Sequence, residues 1–209
     1  DFKRLDGIIR TRIPSGMLVN DFARQQEVEF TRSVIDQLAV KDLLPKNKFG
    51  WFENSLGTLG GGNHFIEVDS DASGNKYLII HTGSRNLGLT AAKIYQQIAK
   101  DQCNNTLNSV RREKKLIESL KADGRYSEIE HAIKDFRAEE EKKNNMPSTG
   151  LEYLSSYYAK DYLKDIQLIQ EYACYNRNRI AEVILSAMGW ERISEFESVH
   201  NYIDDKMVL

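Results

Sequence analysis

Residues 56–67 of this 209-residue chain read L-G-T-L-G-G-G-N-H-F-I-E and decide its fold. The glycines lead into alternating residues that predict a β-strand over residues 64–69. The run D-S-D-A-S-G-N at residues 69–75 is typical of a turn, and K-Y-L-I-I-H at residues 76–81 predicts a second strand. Together these segments predict a β-hairpin that carries His64 and His81.

The length of the turn suggests how the two strands pair. If Asp69 faces Lys76 across the turn, then His64 faces His81. Directly opposed residues have β-carbons about 4.5–5.5 Å apart, so the two imidazoles would converge on one metal or on two neighbouring metals. A slip of one residue would send them to opposite faces, and a histidine on a strand is also compatible with a purely structural role.

The glycine-rich stretch precedes a strand, an order that is wrong for a Walker A loop or a dinucleotide-binding fingerprint. Glycine backbone can still present N–H groups to a phosphate, although a tight turn explains the same residues. Asn63 and Glu67 lie four residues apart with Phe65 between them, so they are expected to share a face of the strand. Arg85 is a natural phosphate contact or, alternatively, one half of a surface ion pair.

Helical periodicity accounts for much of the remaining chain. It predicts a helix over residues 21–41 with Asp21 as its N-cap, and another helix that begins near Leu89. It also predicts a long helix over residues 155–188 that ends at Gly189.

Residues 104–145 are highly charged and predict a helical excursion on the surface. The expected fold class is therefore α+β: a mostly antiparallel sheet with a histidine-bearing hairpin, packed against long helices. We expect a single domain over residues 1–209, with the charged excursion inserted into it.

Composition narrows the class of protein. The net charge of -2 predicts no general attraction to nucleic acid, so any RNA contact must come from a local basic patch. No long apolar run or signal pattern is present, and no membrane association is expected. Cys103 and Cys174 lack metal-site spacing and favour free thiols in a reducing compartment, which predicts a cytoplasmic location. The absence of an initiator Met leads us to expect an internal fragment.

Three segments together resemble successive motifs of the RtcB family of RNA-splicing ligases. They are G-T-L-G-G-G-N-H-F-I-E-V at residues 57–68, H-T-G-S-R-N-L-G at residues 81–88 and V-H-N-Y at residues 199–202. Residues 161–177, D-Y-L-K-D-I-Q-L-I-Q-E-Y-A-C-Y-N-R, are also similar to the helix before the third motif of that family. The resemblance implies an enzyme that joins a 2′,3′-cyclic phosphate or 3′-phosphate RNA end to a 5′-hydroxyl end, using GTP and two Mn²⁺ ions.

The resemblance also implies roles for individual residues. His64, His81 and His200 would be metal ligands, and Arg85 would hold a phosphate of the RNA or nucleotide. The residues implied for GTP binding are Asn63, His64, Phe65, Ile66, Glu67, His200 and Asn201. The implied partner is RNA, such as a broken or intron-excised tRNA, while any activating protein is unknown.

Two features of the family pattern are missing. The motif of the type Asp-x-Gly-Cys that supplies further metal ligands is absent, and the histidine that becomes guanylylated lies beyond the third motif in the family. We therefore expect these 209 residues alone to bind manganese weakly and not to ligate RNA. Two other functions stay open: a metal-dependent phosphohydrolase or nuclease, and a non-catalytic domain that binds RNA or a protein partner.

Overall fold

The computed structural model describes residues 2–103, 106–144 and 150–199. Its helices and strands are α1 (Phe2–Arg12), α2 (Gln25–Gln37), α3 (Phe49–Asn54), β1 (Phe65–Ser70), β2 (Lys76–His81), α4 (Arg85–Cys103), α5 (Thr106–Ala122), α6 (Ile129–Asn144) and α7 (Ser156–Met188). A two-stranded antiparallel sheet accompanied by long helices confirms the predicted α+β class. No helix in these ranges is long and apolar enough to cross a membrane.

The chain divides into two compact units. One is formed by Asp1–Ala91 with Asp161–Leu209, and the other by Ala92–Lys160. The second unit contains the charged stretch, where α5 and α6 are joined through a turn at Gly124 and a short 3-10 helix, Tyr126–Glu128. Some of its charges pair between the helices, as in the ion pairs of Arg112 with Glu140 and of Arg137 with Glu113.

The hairpin is formed by β1 and β2, but its predicted register is wrong by one residue. Phe65, not His64, lies opposite His81, and Ser70, not Asp69, lies opposite Lys76. The reason is the buried face, because a pairing of Ile66 with Ile80 and of Val68 with Leu78 puts four apolar residues on the same side.

That apolar face of the hairpin packs on α1 and α7. The buried residues at this contact are Leu5, Ile13, Ile180, Ile184 and Met188. Helix α7 ends where predicted: Gly189 has φ +71°, and Trp190 N donates to the Leu185 carbonyl at 2.9 Å. The hairpin is thus held against α7. This contact determines the position of the open end of the hairpin, where His64 and His81 lie.

Two helix starts differ from the prediction. Asp21 does not cap α2, which instead begins at Gln25 after Arg24, whose backbone N–H donates to the Glu27 carboxylate at 2.7 Å. Helix α4 begins at Arg85 rather than near Leu89. In both places the segment before the helix is held by residues distant in sequence, which local periodicity does not detect.

The carboxylate of Asp71 organises the hairpin turn. We therefore expect the order of this loop to depend on pH in the acid range. Asp71 accepts hydrogen bonds from Ser73 N at 2.9 Å, from Asn75 N and Nδ2 at 2.9 and 2.8 Å, and from Tyr77 Oη at 3.0 Å. These bonds, that from the Asn75 side chain foremost, lower the pKa of Asp71. The ionised form is thereby favoured in the fold, so its stabilising effect is complete above the ordinary pKa of aspartate and is lost as pH falls through the lowered value.

We expect the Asp71 carboxyl carbon to titrate in NMR below the ordinary range, with amide exchange at Ser73 and Asn75 increasing over the same acid interval. Asp71→Ala should abolish the protection of these amides at neutral pH. Asp69→Ala, a change at the neighbouring strand position, is the matched control and should retain it. An ordinary titration midpoint for Asp71 would contradict the interpretation.

Candidate functional site

His64 and His81 lie together at the open end of the hairpin. Their ring centroids are 6.1 Å apart with an angle of 37° between the planes. The register error does not separate them, because His64 precedes the first strand and its side chain is not bound by strand alternation. The ring of Phe65, directly opposite His81, completes the cluster at 5.1 Å from the His81 ring.

The environment of His64 favours a neutral imidazole. Burial lowers its pKa; the backbone of Leu59 opposes this, and the nearby charges of Arg85 and His81 lower the pKa further. Its Nδ1 atom is buried and accepts or donates no hydrogen bond within the described residues. A neutral ring with an unpartnered nitrogen is what coordination of a metal ion requires, so the donor chemistry at His64 fits a divalent cation.

The glycine-rich segment before His64 is shaped by a contact with the chain between α1 and α2. Gly16 N donates to the Gly60 carbonyl at 2.7 Å, and Leu59 N donates to the Pro14 carbonyl at 2.8 Å. Gly60 has φ +84°, and a β-carbon there would lie 2.6 Å from His64 Nδ1 and closer still to Arg85 Nη1. Only glycine permits both this backbone conformation and the close approach of the two side chains.

Arg85 connects three segments around the histidines. Its Nε donates to Thr58 Oγ1 at 2.8 Å, and its Nη2 donates to the carbonyls of Gly16 and Leu18 at 3.1 and 3.4 Å. The guanidinium also lies over the Trp51 ring, 5.8 Å from its centroid. Within the described residues none of these hydrogen bonds uses Nη1, which lies against Gly60.

The two histidine-bearing segments are joined by a buried amide on α7. Asn176 is fully buried; its Oδ1 accepts from Gly57 N at 2.8 Å and from Thr58 N at 3.2 Å. Its Nδ2 donates to the Thr58 carbonyl at 3.2 Å and to the Gly83 carbonyl at 3.1 Å. One side chain therefore fixes the glycine segment before His64 relative to the loop after His81.

Sequence reasoning did not single out Asn176. The available signal was a polar residue on the apolar stripe of the predicted helix, between the buried Tyr172 and Ile180. A polar group at such a position must find hydrogen-bond partners in the core, but the sequence does not say which.

A second residue of α7 connects the end of the hairpin to the segment before the third motif. Arg177 Nη1 donates to the Thr82 carbonyl at 2.9 Å, and Arg177 Nη2 forms an ion pair with Glu197. Glu197 precedes His200 by three residues. His200 and Asn201 themselves lie outside the described residues.

The other predicted site residues divide between two faces. Phe65 and Glu67 lie on the same face of the sheet as His81, and Asn63 is exposed just before the strand. Ile66 points the other way and packs against the core, so it can offer a nucleotide only its backbone. Within the described residues, no three His, Cys, Asp or Glu side chains are grouped closely enough to hold a metal.

Comparison with known protein families matches residues 17–205 to the family described as tRNA-splicing ligase RtcB. The chain belongs to the RtcB family. Two similar curated members are the RNA-splicing ligase RtcB of Escherichia coli K12 and the RNA-splicing ligase RtcB1 of Escherichia coli ATCC 25922. This RtcB-family chain is 27% identical to each over 135 residues, or 64% of its own length and 24% of theirs. The match thus spans about a quarter of these relatives, and no solved structure matches the chain.

Proposed function

We propose that the protein to which this chain belongs is an RNA ligase that depends on GTP and manganese. It joins RNA ends bearing a 2′,3′-cyclic phosphate or a 3′-phosphate to 5′-hydroxyl ends, with broken or intron-excised tRNA as substrate, in the cytoplasm. The proposal rests chiefly on the approach of His64 and His81 to 6.1 Å beside a segment that only glycine can form. Membership of a family described as a tRNA-splicing ligase supports the same chemistry.

In this proposal the imidazoles of His64, His81 and His200 hold manganese, which when bound neutralises phosphate charge. Asn63, Phe65 and the backbone of Ile66 contact GTP. Glu67, His200 and Asn201 complete the set of nucleotide contacts. Arg85 offers Nη1 to a phosphate while its other nitrogens hold the surrounding segments.

The contacts of Arg177 support the inclusion of His200. Its two contacts, to the Thr82 carbonyl next to His81 and to Glu197, hold the segment just before the third motif near the hairpin. The histidine that accepts GMP is not expected among the four histidines of this chain, so complete turnover needs a further histidine from the rest of the protein.

The deciding experiment uses the whole protein that contains these residues. Incubation with GTP labelled at the α-phosphate and with Mn²⁺ should give a covalent GMP adduct that disappears when a 3′-phosphate RNA and a 5′-hydroxyl RNA are added and joined. A phosphohydrolase or nuclease forms no adduct and shortens the RNA. A non-catalytic binding domain forms no adduct and shows no manganese binding that depends on His64.

The histidine variants test the site directly. His64→Ala and His81→Ala should each weaken manganese binding by at least about 100-fold, because loss of a direct ligand exceeds the 10- to 100-fold effect of removing an outer partner. Isothermal titration with Mn²⁺ measures this. His131→Ala is the matched control, since His131 is exposed on α6 and pairs only with Asp135 in the described structure; equal losses in all three variants would contradict the assignment.

A further inference from the structure

A groove rich in arginine runs along α7 away from the histidines. It encloses about 550 Å³, and we call it the arginine groove. Its lining residues are Arg12, Arg24, Arg179, Glu182, Val183 and Ser186. Because Arg179 is paired with Glu27 and Glu182, the positive charge of the groove comes from Arg12 and Arg24, in a chain whose net charge is -2.

Two of these arginines are available to a ligand. Arg12 and Arg24 are exposed and form no ion pair within the described residues. Arg179 is different: its guanidinium pairs with Glu27 at 2.8 Å and with Glu182 at 3.3 Å, so it serves as the fixed wall of the groove. Exposed guanidinium groups without a carboxylate partner are suited to phosphate.

The arginine groove continues into a pocket with an aromatic lining. This second cavity, which we call the aromatic pocket, encloses about 310 Å³ and shares Arg24, Arg179 and Glu182 with the groove. Phe30 and Tyr175 line it, with ring centroids 4.3 Å apart and planes within 15°. Its volume lies at the lower end of the range of about 300–1,000 Å³ for ligand pockets.

The groove also meets the glycine segment that leads to His64. A β-carbon on Gly57 would lie 2.9 Å from Arg179 Cγ, so the stem of Arg179 packs directly against Gly57. The N–H of Gly57 is bound by Asn176, as described above. Arg179, one wall of the groove, therefore lies between the groove and the segment that carries His64 at its other end.

We propose that the arginine groove and the aromatic pocket bind a single-stranded part of the RNA substrate. Arg12 and Arg24 contact successive backbone phosphates, and one base packs against Phe30 and Tyr175. The pocket itself carries Glu27, Glu171 and Glu182, so the phosphates are held by Arg12 and Arg24 in the groove and the pocket takes an uncharged base. Unpaired arginines next to aromatic rings supply the phosphate and base contacts that hold single-stranded nucleic acid. This inference rests on the proposed ligase function for the identity of its RNA.

The test measures RNA affinity of the whole protein by fluorescence anisotropy, with a labelled single-stranded RNA of about 12 nucleotides that ends in a 3′-phosphate. Arg12→Ala/Arg24→Ala should raise Kd about tenfold or more and reduce the slope of log K against log salt by about 2. Tyr175→Ala should raise Kd at least about fivefold for single-stranded RNA, without the loss of salt dependence.

Matched variants separate the loss of RNA contacts in the groove from a general loss of positive charge and from misfolding. Lys46→Ala/Lys164→Ala removes two exposed charges outside the groove and should leave Kd within about twofold. Arg12→Lys/Arg24→Lys keeps the charges and should bind within about threefold of the wild type. Equal Kd values for the wild type and the double alanine variant, or equal losses in the lysine control, overturn the proposal.

Failure of the groove and failure of the ligase assignment give different results. A wild type that forms the GMP adduct, beside an Arg12→Ala/Arg24→Ala variant with unchanged RNA affinity, refutes the groove and leaves the ligase. A wild type that forms no adduct, beside a variant that loses RNA affinity, supports the groove and refutes the ligase. A wild type that binds no RNA refutes the groove.

Discussion

Asn176→Ala is expected to lower the free energy of unfolding by about 4 kcal/mol, because it leaves several buried backbone groups without partners. The groups are the N–H of Gly57 and of Thr58 and the carbonyls of Thr58 and Gly83, all bonded to this one amide. The same change frees the segment before His64 from the loop after His81. We therefore expect manganese affinity to fall together with stability, measured by urea unfolding and by Mn²⁺ titration.

Two further variants test whether the hydrogen bonds of the buried Asn176 amide are the source of this stability. Asn176→Asp keeps the oxygen that accepts from Gly57 and Thr58 but turns a carboxylate oxygen towards two carbonyls, so it should not restore stability. Asn178→Ala changes the same residue type two positions along α7, where the side chain contacts Cys174 and Arg192, and should cost less than about 1 kcal/mol. If Asn178→Ala proves as costly as Asn176→Ala, the buried amide is not the source of the effect.

Gly60→Ala is expected to cost about 3 kcal/mol of stability and to reduce GMP transfer by about 100-fold. The new methyl group would lie 2.6 Å from His64 Nδ1 and would also displace the Arg85 guanidinium. Both side chains must move, and a small misplacement of reacting groups is sufficient for a loss of this size. Urea unfolding and the GMP-adduct assay measure the two effects.

Gly62 provides a matched control for the strain of the backbone itself. It has φ +78°, close to the +84° of Gly60, but a β-carbon there would meet no atom within 4 Å. Gly62→Ala should therefore cost only the strain of a left-handed residue, about 1–2 kcal/mol, and should leave the arrangement of His64 and Arg85 intact. Equal losses of GMP transfer in the two variants would show that backbone strain, and not the contact with His64 and Arg85, is responsible.

Much of the fold could be predicted from local sequence. The second strand, the long helix α7 and its end at Gly189 all follow from periodicity and glycine placement. The register does not, because the length of a turn alone does not determine which strand residues pair. The core selects the pairing that puts Ile66 beside Ile80, because only this register places the apolar residues of both strands on one face.

The candidate site was predicted only in its residues, not in its supports. The sequence singles out His64, His81 and Arg85; the structure places His64 and Arg85 against Gly60 and His81 beside His64. Their supports are distant in sequence, as in the bond from Gly16 to Gly60 and those of Asn176 to the glycine segment. Such partners depend on tertiary packing, which periodicity and motif spacing do not contain.

The bond between Gly57 and Asn176 spans 119 residues, and this separation has a consequence during protein synthesis. At about 5–20 residues per second, the ribosome needs on the order of ten seconds to make the intervening chain. Throughout that interval the nascent hairpin has α1 but lacks α7, so the part of its apolar face that packs on α7 stays in water. Competence to capture a metal ion should thus arise late in translation, when α7 leaves the exit tunnel.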